Sequence, residues 1–448
     1  MAENVGRGRA FGRRSAVLLP LATLGGCGFF DNLFFTPKDP LPGRRETVMA
    51  ANGQLSVPPG PKVVVDVPVA VSNTDWPQPG GDPSHDMGHL AAADRLNLAW
   101  RASIGDGGGF RQKITSQPLV AGGQVFAMDS NAAVSAFDVR SGQRIWSVET
   151  RETDDRSTNV GGGITSADGI LFAATGRGNL VAIDAASGQI KWRQPLGSPA
   201  RCAPTVVEGR VFVTTIEQEL LALSGSDGKR IWSFQATTAT TAVLGQAAPA
   251  FAEGLVVVGF GSGELVAARA ATGSVAWTDS IASASGRNSL ADLSAITGMP
   301  VIDQERVYAI GLGGLLVCID LRAGRRLWSR DVAGSQTPWL AGHWLFIVTI
   351  DQQIAALDAR DGRVAWLSDL PQFKDMEKQK DRIEWLGPVL IGDRLVVVGT
   401  GGVALAISPY TGETLGSQKL ADAASVAPVV AASTMYVVTD DGSLQAFR

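Results

Sequence analysis

With 448 residues, 45% apolar content and 18% charged residues, the chain has ample material for a large core and too little charge for a disordered acidic or basic protein. The formal net charge is −4, and no block of Lys and Arg interleaved with aromatics occurs, which argues against nucleic-acid binding. Length alone would suggest two or three domains, but most of the chain follows one repeat, and a repeat of this kind needs only one.

Residues 1–26 read as a signal peptide. Arg7, Arg9, Arg13 and Arg14 form a basic start, and Ala16 to Gly26 is an apolar core too short to span a bilayer as a helix. The core ends in Leu24-Gly25-Gly26-Cys27, which resembles a bacterial lipobox and marks Cys27 as the lipid-attachment site. Gly28 follows where lipoproteins kept at the inner membrane usually carry Asp, so the expected destination is the outer membrane. Removing the leader takes four Arg and one Glu and leaves a more acidic protein.

Residues 27–75 read as a lipidated, flexible, Pro-rich tether. Pro37, Pro40, Pro42, Pro58, Pro59, Pro61 and Pro68 forbid a long helix there. Phe29, Phe30, Phe34 and Phe35 suit an interfacial patch beside the acyl chains. His85 and His89 have a spacing that metals use, but no third ligand is evident nearby, so a Gly- and Pro-rich loop without metal is expected.

From residue 76 to 448 one unit recurs. In Ala182-Ile183-Asp184-Ala185-Ala186-Ser187-Gly188-Gln189-Ile190-Lys191-Trp192 an apolar strand ends at Asp184, Ser187-Gly188 makes a tight turn, and a second strand delivers Trp192. Equivalent hairpins end at Trp146, Trp232, Trp277, Trp328 and Trp366, and a degenerate copy puts Gly416 where Trp would stand. A Pro and two apolar runs precede most hairpins, as in Pro204 to Val213, giving about four strands in roughly 40 to 50 residues. With Trp100, these positions mark an all-β, eight-bladed propeller of four-stranded antiparallel blades. The repeat after Pro428 lacks its Trp strand, while Leu96 to Trp100 is a Trp strand with no blade before it. The expectation is closure of the ring by an N-terminal strand completing the last blade.

Cys202 and Cys318 fall in different blades and are expected as buried thiols. The connectors at 235–248, 279–299 and 367–387 are the long ones, and length variation collects where a rigid scaffold is free to be shaped for function. The run from Lys374 to Arg382 reads as a solvated helical turn.

The lipobox, the Pro-rich tether and the Asp-x-x-Ser/Thr-Gly-x-x-x-Trp blades together resemble the BamB family, lipoprotein subunits of the outer-membrane β-barrel assembly machinery of Gram-negative bacteria. The resemblance covers nearly the whole chain. It implies a non-catalytic scaffold, without cofactor or metal, lipid-anchored on the periplasmic face of the outer membrane. It also implies binding to the POTRA domains of the barrel-forming subunit, with nascent outer-membrane proteins as a second class of partner. The family's Leu-x-Leu-Arg-Gly motif aligns with Thr241-Ala242-Val243-Leu244-Gly245, so Leu244 replaces its Arg; its Asp-x-Asp motif aligns with Ala295-Ile296-Thr297, which lacks both acids. Contact is therefore expected through Val243, Leu244 and Gly245, joined by Arg287, Asn288 and Asp292. Two alternatives share the ring: a lipid-anchored scaffold of another envelope complex, and a quinone-dependent dehydrogenase. The second usually carries an adjacent-Cys clamp, and no two Cys adjoin here.

Overall fold

The repeated turn explains its own sequence. Asp184 Oδ1 accepts hydrogen bonds from Ser187 Oγ (2.9 Å) and Ser187 N (3.1 Å), and Gly188 N donates to Asp184 O at 2.8 Å. The Ser187 and Lys191 hydrogen bonds hold the Asp184 carboxyl below its usual range. Gly188 sits at φ 75°, where a side chain is strained, and a Cβ there would lie 2.7 Å from the Trp146 ring. Glycine thus serves both the turn and the tryptophan of the preceding blade.

The structure is a computed structural model that describes residues 55–60, 63–109, 112–152, 154–239, 245, 247–281 and 294–448, all within one compact unit, Asn52–Arg448. Eight four-stranded antiparallel sheets follow one another as an eight-bladed β-propeller. In chain order they are blade 1 (119–148), blade 2 (162–195), blade 3 (205–235), blade 4 (250–280), blade 5 (301–331), blade 6 (339–369), blade 7 (385–419) and blade 8 (429–447). The fourth strand of blade 8 is Leu98–Ser103, which precedes blade 1 in the chain and pairs antiparallel with Ser443–Phe447.

Seven of the eight blades pack on the next through a Trp in the same seat. Trp146 of blade 1 belongs to one cluster with the paired residues Leu171 and Ile183 of blade 2, and its Nε1 donates to Ala185 O at 3.0 Å. Trp277 meets Val307 and Ile319 in the same way and donates to Leu321 O at 2.6 Å. Trp100, Trp232, Trp328 and Trp366 donate to Val139, Ala270, Ala359 and Pro409. Within its own sheet each Trp stands opposite a small residue: Ala136, Ala182, Ala222, Ala267, Cys318, Ala356 or Ala446. Both thiols, Cys202 and Cys318, are free and buried.

The segment that looks like a plain loop in the sequence is the hub of the ring. Between residues 73 and 90 it meets the first strand of every blade, in ring order. Asn73 bonds Val430 and Ala432 of blade 8; Trp76 exchanges two backbone bonds with Val120 of blade 1; Pro77 O accepts from Ser166 of blade 2. Gln78 takes both the N–H and the C=O of Val206 in blade 3, at 2.9 and 2.8 Å. Pro83 O and Ser84 O accept from Phe251 and Ile302 of blades 4 and 5, Gly88 O accepts from Trp339 Nε1 of blade 6, and Leu90 pairs with Leu390 and Gly392 of blade 7. A strand edge at the axis has backbone groups with no neighbouring strand; this segment meets such groups on seven blades and holds blade 6 through the Trp339 indole.

The stretch expected as tether docks at its described end. Val65 is buried in the core, Asp66 Oδ1 accepts from Trp344 Nε1 at 2.9 Å, and Val71 forms a parallel bridge with Leu90. Docking therefore starts before residue 76, because Val65 and Val71 have apolar and backbone partners on blades 6 and 7 and the hub. The 374–382 run is not a helical turn but a small hairpin, Phe373–Asp375 with Lys380–Arg382. Few residues and no apolar stripe leave a helix without a nucleus or a face to bury.

Two measurements test this account. Trp277→Ala removes a buried indole and its hydrogen bond and should destabilise the ring by about 3–5 kcal/mol in denaturant melts. The second concerns Asp86 in the hub, whose carboxyl is pushed up to about 7 by burial and by the nearby Asp303 and Asp82. The unfolded chain ionises this group near 3.8, so between about pH 4 and 7 the folded state holds more protons and its stability falls as pH rises. Asp86→Asn should flatten that slope, on the order of 1 kcal/mol per pH unit, and raise the melting temperature at neutral pH.

Candidate functional site

The first strands converge on the axis, and the residues leading into them line a funnel of about 440 Å³. Blade by blade the wall is built from Lys113 and Thr115, Gly161, Arg201 and Ala203, Gly245 and Ala248, Thr297 and Met299, Ser335 and Thr337, Glu384 and Thr400, then Ser425 and Asp440. Pro79 of the hub borders it too. Small and hydroxylic side chains predominate because eight inner strands leave little room beside the axis.

Hydrogen bonds tie neighbouring connectors of this rim together. Thr297 Oγ1 donates to Ser335 O at 3.0 Å, and Met299 N donates to Thr337 Oγ1 at 3.0 Å, joining blades 5 and 6. Asn159 binds Ser130 O and Gly161 O and accepts from Gly176 N, while Arg177 donates to Asn131 O and Ser157 O. Ser425 Oγ donates to Asp440 Oδ1 at 2.7 Å, and Arg201 donates to Val160 O. The rim is therefore a stiff polar frame carrying both signs of charge. Its thiol, Cys202, contacts Thr214 Oγ1 at 3.0 Å and is pushed up to about 11 by burial, so it stays protonated and unreactive near neutral pH.

Of the residues expected to bind a partner, only Gly245 lies among those described, where it lines the funnel at φ 95°. Val243, Leu244, Arg287, Asn288 and Asp292 lie outside the described residues, as does Cys27. Ala295 and Ile296, aligned with the acidic motif, are buried: Ile296 N donates to Phe260 O, and a Cβ on Gly259 would lie 2.3 Å from the Ile296 side chain. These positions pack between blades, and an acid there would be desolvated without a counter-ion.

The histidines have separate duties. His89 Nε2 accepts from Asp393 N, which leaves Nδ1 as the donor to Pro68 O at 2.7 Å. His85 Nδ1 bonds Pro300 O at 2.7 Å, and burial lowers the pKa of its ring. Among the described residues no three His, Cys, Asp or Glu side chains converge as a metal site. Sequence reasoning missed the rim bonds and the hub, since both lie outside the repeat; the surplus Trp76, off the blade register, was the available signal.

A family model described as outer membrane protein assembly factor BamB matches residues 88–157, 130–368 and 373–448. The chain is 27% identical over 355 residues to outer membrane protein assembly factor BamB of Yersinia pestis, covering 78% of this chain and 88% of that one. It is 29% identical over 356 residues to the protein of that name from Bordetella pertussis, covering 79% and 87%. Among solved structures, BamB from Moraxella catarrhalis superposes with a TM-score of 0.67 at 19% identity, over 79% of this chain and 99% of that one. Quinohemoprotein alcohol dehydrogenase from Comamonas testosteroni gives 0.64 at 16% identity, over 84% and 81%, a likeness of fold alone.

Proposed function

The chain belongs to the BamB family of outer-membrane protein assembly factors, and from that membership we propose that it is a non-catalytic scaffold subunit of the outer-membrane protein assembly complex. In this reading it is held on the periplasmic face of the outer membrane by lipid on Cys27. It grips the POTRA domains of the barrel-forming subunit and aids the folding and insertion of β-barrel proteins. The observation that carries the reading is the family match, which reaches from residue 88 to 448 and takes in every blade.

The rim supports a gripping role. Connectors pinned by the Thr297–Ser335 and Met299–Thr337 bonds lose little freedom when a partner docks, so less of the contact energy goes into ordering them. The connectors that hold Val243, Leu244 and Gly245, and Arg287, Asn288 and Asp292, return to the ring at that rim, through Gly245 and Thr297. An apolar pair flanked by polar groups suits an interface centre, in which a few buried anchors carry most of the affinity.

Leu244→Asp puts a charge in that centre and should weaken capture of the barrel-forming subunit by about 2 kcal/mol, roughly thirtyfold in Kd, with the melting temperature unchanged. Lys374→Glu in the exposed 373–382 hairpin is the control; co-purification lost only with the control would move the interface away from the central blades. For the anchor, mass spectrometry of protein extracted from membranes should find Cys27 as an acylated first residue. An unmodified first residue elsewhere would remove the anchor from the reading.

A further inference from the structure

Seven of the eight seams between blades hold an indole, and the eighth does not. At the seam between blades 7 and 8 the register puts Gly416 opposite Ala406, where the other blades place Trp opposite Ala or Cys. The seat is nevertheless present. Met435 and Phe447 of blade 8 are paired as Leu171 and Ile183 are beneath Trp146, and both are buried. Between them and blade 7 lies a cavity of about 560 Å³, lined also by Val396, Leu405, Leu415 and Gly416 and bordered on one side by the segment 94–97.

Nothing in the backbone requires glycine at 416. Its φ is not in the left-handed region, and a Cβ there would meet no atom within 4 Å. What the seam lacks is the turn. In every other blade the third and fourth strands are joined by a tight turn whose glycine faces the Trp ring, as Gly188 faces Trp146. In blade 8 the fourth strand, Leu98–Ser103, comes from before blade 1, so no such turn joins it to Ser443–Phe447. Asn97 and Arg448 exchange backbone hydrogen bonds at that place instead. The segment 94–97 borders the seam where its siblings have a turn, no glycine turn fills it, and the outer strand beside it, Thr414–Lys419, is exposed along its whole length.

We propose that the cavity between blades 7 and 8 is a second docking site, which receives a tryptophan side chain from a partner polypeptide lying along the strand Thr414–Lys419. The occupant is specified by the molecule itself, since seven copies of this surface are each filled by an indole. The unpaired edge of Thr414–Lys419 offers backbone donors and acceptors to an added strand, and the cavity supplies the selectivity for one side chain. This surface is built from the second, third and fourth strands of blade 7, Met435 and Phe447 of blade 8 and the segment 94–97, and shares no residue with the funnel rim.

The test uses the full-length protein with N-acetyl-tryptophanamide as probe and N-acetyl-leucinamide as comparison, followed by NMR shifts of residues 394–418. The tryptophan probe should bind saturably in the millimolar range, at least tenfold tighter than the leucine probe. Gly416→Trp, which fills the cavity from within, should abolish binding while raising the melting temperature. Leu415→Asp, at a residue 59% exposed on the cavity's lip, should weaken binding with the fold unchanged and covers the case in which Gly416→Trp fails to fold. Absence of saturable binding, equal binding of the two probes, or binding unaffected by both substitutions would overturn the proposal. Binding seen only after Phe29, Phe30, Phe34 and Phe35 are replaced by serine would hand the cavity to this chain's own amino-terminal segment, and self-association lost on Gly416→Trp would hand it to a second copy; either overturns the assignment to a partner.

Discussion

Eight sheets that aim their first strands at one axis leave eight strand edges facing it, each with amide and carbonyl groups that no neighbouring strand can reach. The rest of this structure depends on how those groups are satisfied. Residues 73–90 pass the blades in order, from Asn73 at blade 8 to Leu90 at blade 7, and bond edge backbone groups of seven of them, while blade 6 is held through the Trp339 indole. Gln78 shows the economy of the arrangement, because one primary amide replaces a strand by meeting both backbone groups of Val206. Van der Waals contact adds to it: Trp76 stacks on Trp339 across the hub, with ring centroids 6.4 Å apart.

The second constraint acts at the outside of the blades. A sheet with its faces covered by neighbouring sheets needs a large side chain wherever twist opens the gap between them, and the indole fills it; in Trp100, Trp146, Trp232, Trp277, Trp328 and Trp366 its N–H also reaches a carbonyl of the next blade. The small residue opposite each Trp and the glycine in the turn beyond it are consequences of that one ring. This explains why the repeat is strict at Asp, Gly and Trp and loose elsewhere. It also explains where the repeat fails, since among the described residues Gly416 faces the only blade whose outer pair of strands is not a continuous hairpin.

Rigidity built in these two ways determines what the ring can offer a partner. The blades are packed on one another and on the hub, so shape is varied in the connectors, and several of these are tied to one another at the funnel rim. Burial decides the local chemistry. Cys202 is held protonated in its pocket with Thr214, His85 is held neutral inside the hub, and Asp86 is pushed toward neutrality beside Asp303. Each of these shifts is accounted for first by burial.

The repeat was legible in the sequence because its physics is local. An Asp that caps a turn, a Gly that tolerates positive φ and a Trp four residues later all lie in one short hairpin, between a buried third strand and a more exposed fourth. Blade number and the degenerate seventh copy follow from counting these units, and the two buried thiols follow from their place in strands and connectors. The hub was not legible, because its bonds join residues such as Gln78 and Val206 that are 128 apart and its backbone has no period. The short hairpin at 373–382 was misread as a helical turn, because a charged run carries no sign of which conformation its flanking strands impose. The sequence by itself determined a ring of eight blades and the likeness to its family. Only the tertiary structure decided that residues 73–90 bind all eight blades and that the seam at Gly416 keeps a cavity, since both depend on which distant backbone edges meet.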